Sequence, residues 1–388
     1  MVKGLENKKP IVLFADVEAG FGHLAPMSAI VNEFTKKYQD KVQIVHKRVF
    51  TSTTNPHVLK LGRMQSKHPE RLGKNFIVRL GESITYAFPS RLMLFILDRV
   101  FGRGRKEYIK ELGTMKPDVV VSTYYLPTHL CVQANKKGLT NALNINYSPD
   151  TFIYPAWDRG VDKLFVNNER AYLVALKRGF KQSNVEKVGF VYKAGAFNEK
   201  SQSKAREELG ISEQEYVILI TTGAYGTQKT VKLVKELVKK GVKVNIQVVC
   251  GKDKKTFDEL TAIKNSGVEN LQVYSQVQSL ATLMQACDLI IGKAGANTTS
   301  EARLYSKPMI IFFEQSRIEV EQAKYLCDKK CAIREKKISK IISLITQDTL
   351  RKGHLRSKLV GLDEKVVDGV TQVVDGVYKL MKDKGLTE

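Results

Sequence analysis

The sequence is poor in the residues that build disulfide frameworks and metal centres. Its 388 residues include five cysteines, six histidines and one tryptophan. The cysteines are scattered and odd in number, which is typical of a protein that folds in a reducing cytoplasm. Cys327 and Cys331 lie one helical turn apart, but no other cysteine or histidine pair accompanies them. The sequence therefore predicts neither a disulfide scaffold nor a metal site.

Long apolar runs are also missing. None reaches the roughly 20 apolar residues that a helix needs to cross a bilayer, and the longest candidate, 92–97, is flanked by Arg91 and Asp98. Residues 1–10 are polar and lack the apolar core of a secretory signal. We therefore expect a protein that is neither exported nor threaded through a membrane.

Acidic residues are too few to balance the basic ones. The chain has 40 aspartates and glutamates against 63 lysines and arginines, a formal net charge of +23, which favours an anionic partner. No basic-aromatic motif, helix-turn-helix signature or zinc-finger spacing points to nucleic acid. The segment 99–106 puts basic residues beside apolar ones, which is typical of a protein that binds an anionic membrane surface. A generically basic soluble protein remains the alternative.

What the sequence does contain is a regular alternation of strand and helix patterns, which predicts a doubly wound α/β fold. A polar stretch, 198–203, indicates a linker. We expect one domain over 1–197, a second over 198–365, and a terminal helix within 366–388 that packs back on the first domain. The predicted strands are 11–15, 42–46, 118–122, 142–146, 164–166, 185–188, 217–221, 244–250, 271–274, 289–291 and 309–312.

Three glycine-containing loops each follow a predicted strand and precede a predicted helix: 18–23, 221–226 and 292–298. Open α/β sheets bind ligands at the carboxyl ends of their strands. A strand-loop-helix of this kind aims free backbone N–H groups and a positive helix end at an anion, most often a phosphate. Glu301 lies one turn into the third helix, where its carboxylate can accept hydrogen bonds from vicinal hydroxyls. Phosphate beside ribose indicates a nucleotide site.

These motifs, in this order, resemble those of the GT-B glycosyltransferases, in the branch of the monogalactosyl- and glucosyl-diacylglycerol synthases and the peptidoglycan-precursor N-acetylglucosaminyltransferase. The resemblance rests on 20–23, 150–168, 293–302 and 308–322 and extends over nearly the whole chain. The chain departs from the family's pattern in three places. Phe21 stands where glycine is usual, loop 221–226 has fewer glycines, and residues 190–193 replace a Pro-x-Arg-Pro element. The departures concern the donor sugar and the acceptor rather than the fold.

The resemblance implies an α/β GT-B fold, with two Rossmann-like doubly wound domains and the active site in the cleft between them. It implies an inverting, metal-independent enzyme that moves a hexose from a UDP-sugar to a membrane lipid, with diacylglycerol as the expected acceptor. The UDP-sugar is then a co-substrate, and no cofactor is expected. UDP-glucose, UDP-galactose and UDP-N-acetylglucosamine remain open as donors. A sterol or a polyprenyl-linked lipid remains open as acceptor.

The donor site implied by the resemblance lies mainly in the second domain. Glu301 would hold the ribose, and Val277 would contact the uracil. Glu319 and Gln322 would bind sugar hydroxyls. Because the sequence has no Asp-x-Asp pair, backbone N–H groups and helix dipoles would stabilise the departing diphosphate. The expected donor-binding residues are Gly22, Gly223, Gly226, Val277, Gly295, Asn297, Thr298, Glu301, Glu319 and Gln322.

A general base must take the proton of the acceptor hydroxyl as it attacks the anomeric carbon. His23 follows the first glycine loop directly and is the best-placed imidazole in the sequence. The alternative is that His23 only bonds the loop or the donor phosphate. Asp150 is the second catalytic candidate, either as the base or as the group that orients His23, although an aspartate in this context more often caps a turn.

The basic, apolar-rich region 81–106 is expected to form the acceptor entrance on a membrane surface. Its apolar side chains would enter the lipid and its basic side chains would meet headgroups, which makes the protein peripheral on the cytoplasmic face. A core helix with solvated arginines has the same amphipathic pattern and remains the alternative. The expected residues are Tyr86, Phe88, Arg91, Leu92, Phe95, Arg99, Phe101, Arg103, Arg105 and Lys106.

Two rival functions are open from the sequence. Residues 20–25 also fit the Gly-x-Gly-x-x-Ala pattern of nicotinamide enzymes, and the following strand ends in His46, Lys47 and Arg48, which disfavours NAD and leaves NADP. That function would leave the loop 293–301 unexplained. A non-enzymatic basic protein that binds membranes would explain the charge but none of the three loops.

Overall fold

The computed structural model describes residues 9–17, 21–49, 88–223 and 227–388. The chain forms two compact units, an N-terminal unit of 1–193 with 367–388 and a C-terminal unit of 194–366. The chain passes into the C-terminal unit between residues 193 and 194 and returns to the N-terminal unit between 366 and 367. The boundaries expected from the sequence lie between 197 and 198 and between 365 and 366. The last 22 residues belong to the unit in which the chain begins.

The N-terminal unit contains one parallel six-stranded sheet in the order β2-β1-β3-β4-β5-β6. Residues 11–15 and 119–121 form uninterrupted apolar runs, typical of parallel strands that are covered on both faces. The strands are β1 (Ile11–Asp16), β2 (Gln43–Arg48), β3 (Val119–Ser122), β4 (Leu143–Ser148), β5 (Lys163–Val166) and β6 (Val185–Lys187). The helices between them are α1 (Phe21–Tyr38), α2 (Ser90–Met115), α3 (Tyr125–Lys136) and α4 (Glu169–Lys177), with a 3₁₀ turn at Gln182–Asn184.

The C-terminal unit contains a second parallel six-stranded sheet, in the order β12-β11-β10-β7-β8-β9. Its strands are β7 (Val217–Thr221), β8 (Asn245–Val249), β9 (Leu271–Tyr274), β10 (Leu289–Lys293), β11 (Met309–Phe313) and β12 (Ile333–Arg334). Its helices are α5 (Gln202–Leu209), α6 (Gln228–Lys239), α7 (Lys254–Asn265), α8 (Ala281–Ala286), α9 (Ala296–Leu304), α10 (Arg317–Asp328), α11 (Ile338–Leu350) and α12 (His354–Lys358), with a 3₁₀ turn at Val360–Asp363. Side-chain caps begin four of them, since Ser201, Thr227, Asp253 and Ser316 accept backbone N–H groups of α5, α6, α7 and α10.

The last helix, α13 (Val370–Asp383), packs on α1 in the N-terminal unit. Val373 and Val377 are fully buried in the same apolar cluster as Phe34. The rings of Tyr38 and Tyr378 stack with centroids 3.9 Å apart, and Lys37 pairs with Asp375 at 2.9 Å. The apolar spacing that predicted a terminal helix is the face that α13 buries.

Two parallel sheets, each covered by helices, are the doubly wound architecture expected from the alternating pattern. In the N-terminal sheet β1 lies between β2 and β3, so the chain order reverses at β1. In the C-terminal sheet β7 lies between β10 and β8, so the chain order reverses at β7. Ligands of such sheets bind at the carboxyl ends of the strands where the order reverses. Among the described residues, no helix combines the length and the apolar character needed to cross a membrane.

Candidate active site

His23 lies in the first turn of α1, beyond the carboxyl end of β1, and Thr123 contacts both its ring and its main chain. Its Nδ1 lies 2.8 Å from the backbone carbonyl oxygen of Thr123, which follows β3, and the Thr123 hydroxyl donates to the His23 carbonyl at 2.9 Å. A carbonyl oxygen can only accept, so Nδ1 carries the proton. In the neutral ring Nε2 then has the free lone pair, which is the state a general base requires.

Asp150 lies on the Nε2 side of His23, with Oδ2 at 3.9 Å from that nitrogen. The distance is too long for a hydrogen bond, so the group that orients His23 in this structure is the Thr123 carbonyl. Burial raises the pKa of Asp150, and the nearby His23 opposes that rise in part. A carboxylate at this distance can stabilise a positive charge that develops on the ring during a proton transfer.

Tyr124 packs against the His23 ring on a further side. The two rings meet edge to face with centroids 4.9 Å apart, and the Tyr124 hydroxyl donates to that of Tyr125 at 2.9 Å. Burial raises the pKa of Tyr124 to about 12, so its hydroxyl stays protonated at neutral pH. The Thr123 carbonyl and the Tyr124 ring together fix the position of His23.

The donor loop joins β10 to α9 in the C-terminal unit. α9 starts after Gly295, which has no side chain to cap the helix, and the N-terminus of a helix is a site where anions bind. Thr299 stabilises the loop, because its hydroxyl lies 3.0 and 3.1 Å from the carbonyl oxygens of Gly295 and Ala296. Gln322 donates to the Thr299 hydroxyl at 2.9 Å. Gln322 is therefore committed to the support of the loop in this structure.

Lys293 was not singled out in the sequence, yet it connects the two glycine loops of the C-terminal unit. A Cβ on Gly223 would lie only 2.6 Å from Cε of Lys293, so the lysine stem runs across the loop that follows β7. Its Nζ lies 2.5 Å from Oε1 of Glu319 and 3.3 Å from Oε1 of Gln315. The second oxygen of Glu319 accepts the Gln315 backbone N–H at 2.7 Å. Both oxygens of Glu319 thus have protein partners.

The missing side chain of Gly292 allows the ends of β7 and β10 to lie close together. A Cβ at this position would lie 2.9 Å from the Thr221 carbonyl oxygen, so only glycine fits where the ends of β7 and β10 pair. The register between β10 and β11 shifts at the same point, between Gly292 and Lys293. This irregularity turns the chain out of the sheet at the start of the donor loop.

The remaining donor candidates lie near this edge of the same sheet. Asn297, Thr298 and Glu301 are half-buried on α9. Val277 is half-buried in the loop between β9 and α8, against the apolar cluster that contains Leu283. In the N-terminal unit Gly22 lies in the first turn of α1, where a Cβ would meet nothing within 4 Å. Gly226 and Tyr86 lie outside the described residues.

One face of α2 is apolar and exposed, as expected for a lipid contact. Leu92, Phe95 and Arg99 follow the i, i+3, i+7 spacing of a single helix face; Leu92 is 43% exposed and Phe95 55% exposed. The Arg99 guanidinium lies 4.9 Å from the Phe95 ring centroid. The exposed basic residues along the helix are Arg91, Arg99, Arg103, Lys106 and Lys110.

Two residues of the expected lipid set need correction. Phe101 is not on the exposed face but packs with the buried residues Met93 and Leu97, at the i, i+4, i+8 spacing of the core face. Arg105 is turned inwards, since its Nη1 lies 3.1 Å from Asp98 and 2.9 Å from Gln133. Both residues were assigned from composition, and composition does not separate the two faces of a helix. Phe88 is half-buried against the same core-face residues.

The network that holds Arg105 also anchors α2 to the rest of the N-terminal unit. Asp98 lies 3.0 Å from Nε2 of His129, whose Nδ1 lies 2.7 Å from Asp158. Burial alone would raise the pKa of Asp158, but hydrogen bonds from His129 and from the Gly160 N–H bring it below its usual value. These polar contacts with Arg105 and His129 therefore fix the helix that presents Leu92 and Phe95 to the rest of the unit.

Comparison with known proteins decides the family. Residues 23–191 match the family Monogalactosyldiacylglycerol (MGDG) synthase, and residues 217–355 match Glycosyltransferase family 28 C-terminal domain. The chain belongs to the GT-B glycosyltransferases. The two matches divide between the units, with the MGDG synthase match around His23 and Asp150 and the family 28 match around the donor loop.

Individual relatives agree with the family matches. The chain is 23% identical to the processive diacylglycerol beta-glucosyltransferase of Bacillus subtilis (strain 168), over 89% of each chain. It is 25% identical to the probable chloroplastic monogalactosyldiacylglycerol synthase of Nicotiana tabacum, over 88% of this chain and 64% of the relative. The fold matches the crystal structure of Acinetobacter baumannii MurG with a TM-score of 0.63, at 16% identity and over 96% and 99% of the two chains. The GT-B fold and the family expected from the sequence are confirmed.

Proposed function

We propose that this glycosyltransferase moves a hexose from a UDP-sugar to diacylglycerol, with inversion at the anomeric carbon and without a metal ion. The observation that carries the proposal is the state of His23, whose Nδ1–H is bound to the Thr123 carbonyl and whose Nε2 is free to accept a proton. The substrates are inferred from the relatives, which are named for the transfer of glucose or galactose to diacylglycerol.

In the proposed reaction Nε2 of His23 takes the proton of the acceptor hydroxyl. The acceptor oxygen forms a bond to the anomeric carbon while the bond from that carbon to the diphosphate breaks, so that UDP leaves with the electron pair. Attack from the face opposite the leaving group inverts the configuration. The positive charge that forms on His23 is then stabilised by the Asp150 carboxylate at 3.9 Å.

Groups of the donor loop are proposed to stabilise the negative charge that develops on the departing UDP. The uncapped N-terminus of α9 offers backbone N–H groups and the positive end of a helix dipole. Lys293, which pairs with Glu319 and contacts Gln315 in this structure, is proposed to turn its ammonium group to the diphosphate. Glu301 is proposed to accept hydrogen bonds from the ribose hydroxyls. Glu319, whose oxygens are both bound in this structure, is proposed to bind sugar hydroxyls only after Lys293 turns to the diphosphate.

The acceptor is a lipid, so the protein is proposed to work at a membrane surface. Leu92 and Phe95 supply exposed apolar area, and Arg99, Arg103 and Lys106 supply positive charge on the same helix. The net charge of +23 favours an anionic leaflet. Attachment is proposed to be peripheral, on the cytoplasmic face.

Two experiments test the proposal and separate it from its rivals. Titration calorimetry should show binding of UDP and no binding of NADPH; the reverse result would favour an oxidoreductase. A screen of radiolabelled UDP-glucose, UDP-galactose and UDP-N-acetylglucosamine against diacylglycerol, a sterol and a polyprenyl-linked lipid should then give a labelled glycosyl-diacylglycerol. Label on a different lipid would correct the acceptor and leave the donor chemistry in place.

A further inference from the structure

Asp150 lies in a loop that the neighbouring hydroxyl groups do not hold in place. The loop follows β4, and the hydroxyls of Ser148 and Thr151, close to Asp150 on either side, are buried and make no hydrogen bond within the described part of the chain. The Asp150 carboxylate lies 3.9 Å from Nε2 of His23, which is beyond hydrogen-bond distance. The support of this loop therefore has to come from another element of the unit.

Asn167, directly after the neighbouring strand β5, supplies a contact to the loop. Its Nδ2 donates to the backbone carbonyl oxygen of Ser148 at 3.2 Å. Ser148 is the last residue of β4 and pairs with Val166 of β5. The bond from Asn167 therefore holds the end of β4 at the point where the chain enters the loop, two residues before Asp150.

The start of α4 determines the orientation of the Asn167 amide. Asn168 caps this helix, since its Oδ1 accepts the Ala171 backbone N–H at 2.9 Å. The Nδ2 of Asn168 donates to Oδ1 of Asn167 at 2.5 Å. Because Oδ1 of Asn167 is thus an acceptor, its amide nitrogen is the group that faces the Ser148 carbonyl. The helix cap and the two asparagines form a chain of hydrogen bonds that ends at the Asp150 loop.

Tyr147 contacts Asn167 from the inside of the unit. Tyr147 is fully buried on β4, and burial raises the pKa of its hydroxyl, while hydrogen bonds from the Val191 backbone N–H and from Asn167 oppose that rise in part. The Val191 nitrogen lies 2.9 Å from the Tyr147 oxygen. Val191 precedes by two residues the point at which the chain leaves the N-terminal unit. The Tyr147 hydroxyl therefore connects Asn167 to that segment.

We propose that Asn167 is a positioning residue of the glycosyl transfer. Its bond to the Ser148 carbonyl holds Asp150 at the distance from which the carboxylate stabilises the charged His23 ring. The inference rests on the proposed function, which gives Asp150 that role. Asn167 acts through the loop and not by contact with a substrate. Without its amide the Asp150 carboxylate is free to move away from the ring, and its stabilisation of the charge falls with distance.

The first test compares two variants that lose the same kind of bond. Asn167→Ala removes the amide that holds Ser148, and Asn184→Ala removes an amide that donates to the Val161 carbonyl at 2.8 Å in the same unit. The measurement is the initial rate of label transfer from radiolabelled UDP-hexose to diacylglycerol, over a series of donor concentrations. Asn167→Ala should lower kcat about tenfold, the factor expected for one hydrogen bond of ordinary strength, and leave the KM for UDP-hexose unchanged. Asn184→Ala should keep the wild-type kcat.

A double-mutant cycle then separates positioning from a general structural role. If Asn167 acts through Asp150, Asn167→Ala should cause no further loss of kcat in a protein that already carries Asp150→Asn. Tyr147→Phe keeps the buried ring and removes the hydroxyl that contacts Asn167. It should lower kcat in the wild-type background and add no loss to Asp150→Asn.

Losses of kcat that multiply in the double variant would overturn the inference, because Asn167 would then act independently of Asp150. Equal losses by Asn167→Ala and Asn184→Ala would overturn it as well, since any lost amide bond would then suffice. Both outcomes leave the wild-type transfer intact and concern Asn167 alone. A wild-type protein that transfers no hexose to diacylglycerol would instead contradict the proposed function, and with it the role given to Asn167.

Discussion

Lys293 crosses Gly223 so closely that a Cβ on the glycine would lie 2.6 Å from the lysine Cε. Gly223 also has a φ of +72°, a backbone conformation that residues with a side chain rarely adopt. The two glycine loops of the proposed donor site are thus connected through the side chain of one lysine. We expect that displacement of either residue weakens the binding of the diphosphate.

Gly223→Ala should therefore weaken UDP binding, because the new methyl group strains the loop and displaces Lys293. Gly241→Ala is the matched control, since Gly241 has a φ of +60° and a Cβ there would meet nothing within 4 Å. Both variants carry the cost of a positive φ, so only the first should lose UDP affinity in calorimetry. Equal UDP affinity of the two variants would exclude a role for the Lys293–Gly223 contact.

Glu301→Ala should weaken UDP binding by the loss of charge-assisted hydrogen bonds to the ribose. Such bonds are worth roughly 1.5–3 kcal/mol, or about 10- to 150-fold in the dissociation constant. Glu301→Gln should fall between wild type and the alanine variant, because the amide keeps an acceptor and loses the charge. Glu207→Ala, an exposed change on α5, is the control. An unchanged dissociation constant in folded Glu301→Ala would remove this residue from the site.

Asp150→Asn should raise stability at neutral pH while it slows turnover. The pKa of Asp150 is raised by burial, so the folded protein favours the protonated carboxyl, and ionisation at pH 7 costs stability. That cost is absent below the unfolded pKa of about 4 and is complete above the raised folded pKa. The melting temperature of the variant should exceed that of wild type at pH 7, and the difference should shrink as the pH falls towards 4. A variant that is less stable than wild type at pH 7 would contradict a raised pKa of Asp150 in the folded protein.

The exposed face of α2 should hold the protein on anionic vesicles. Replacement of Arg99, Arg103 and Lys106 by glutamine should weaken binding at low salt, since each basic residue near such a surface contributes about 1 kcal/mol. Leu92→Ser/Phe95→Ser should instead lower the fraction of the protein that stays bound to vesicles at high salt. Glutamine at Lys232, Lys235 and Lys239, exposed on α6, is the charge-matched control. Wild-type co-sedimentation by both sets of α2 variants would place the membrane contact elsewhere.

The fold could be predicted from the sequence because its signals are local. Buried strands such as β7 are short runs of β-branched and aliphatic residues, and the helices between them have regular apolar spacing. The two-residue strand β12 was missed because Ile333 and Arg334 alone carry no pattern. Three strands, β2, β4 and β10, end two residues later than predicted, and the bounds of the other predicted strands lie within one residue of those observed.

The site could be predicted only where a loop motif marks it. His23 and the loop between β10 and α9 follow glycine-containing strand ends, so the sequence could single them out as candidates. The Thr123 carbonyl that sets the state of His23 comes from 100 residues away and has no side-chain signature. Lys293 was missed as an individual residue because a lysine at a strand end is usually solvated. The inward turn of Phe101 and Arg105 depends on which face of α2 meets the core, and that is decided by tertiary packing.

The central claim is that His23 activates a lipid hydroxyl for attack on a UDP-hexose. It is tested most directly by the initial rate of label transfer from radiolabelled UDP-hexose to diacylglycerol in vesicles, for wild type and His23→Ala at saturating donor. We expect labelled glycosyl-diacylglycerol from wild type and a rate about 100- to 10,000-fold lower for His23→Ala, as the loss of a general base predicts, with UDP affinity retained. A variant that transfers at the wild-type rate, or one that loses UDP binding instead of turnover, would contradict the account.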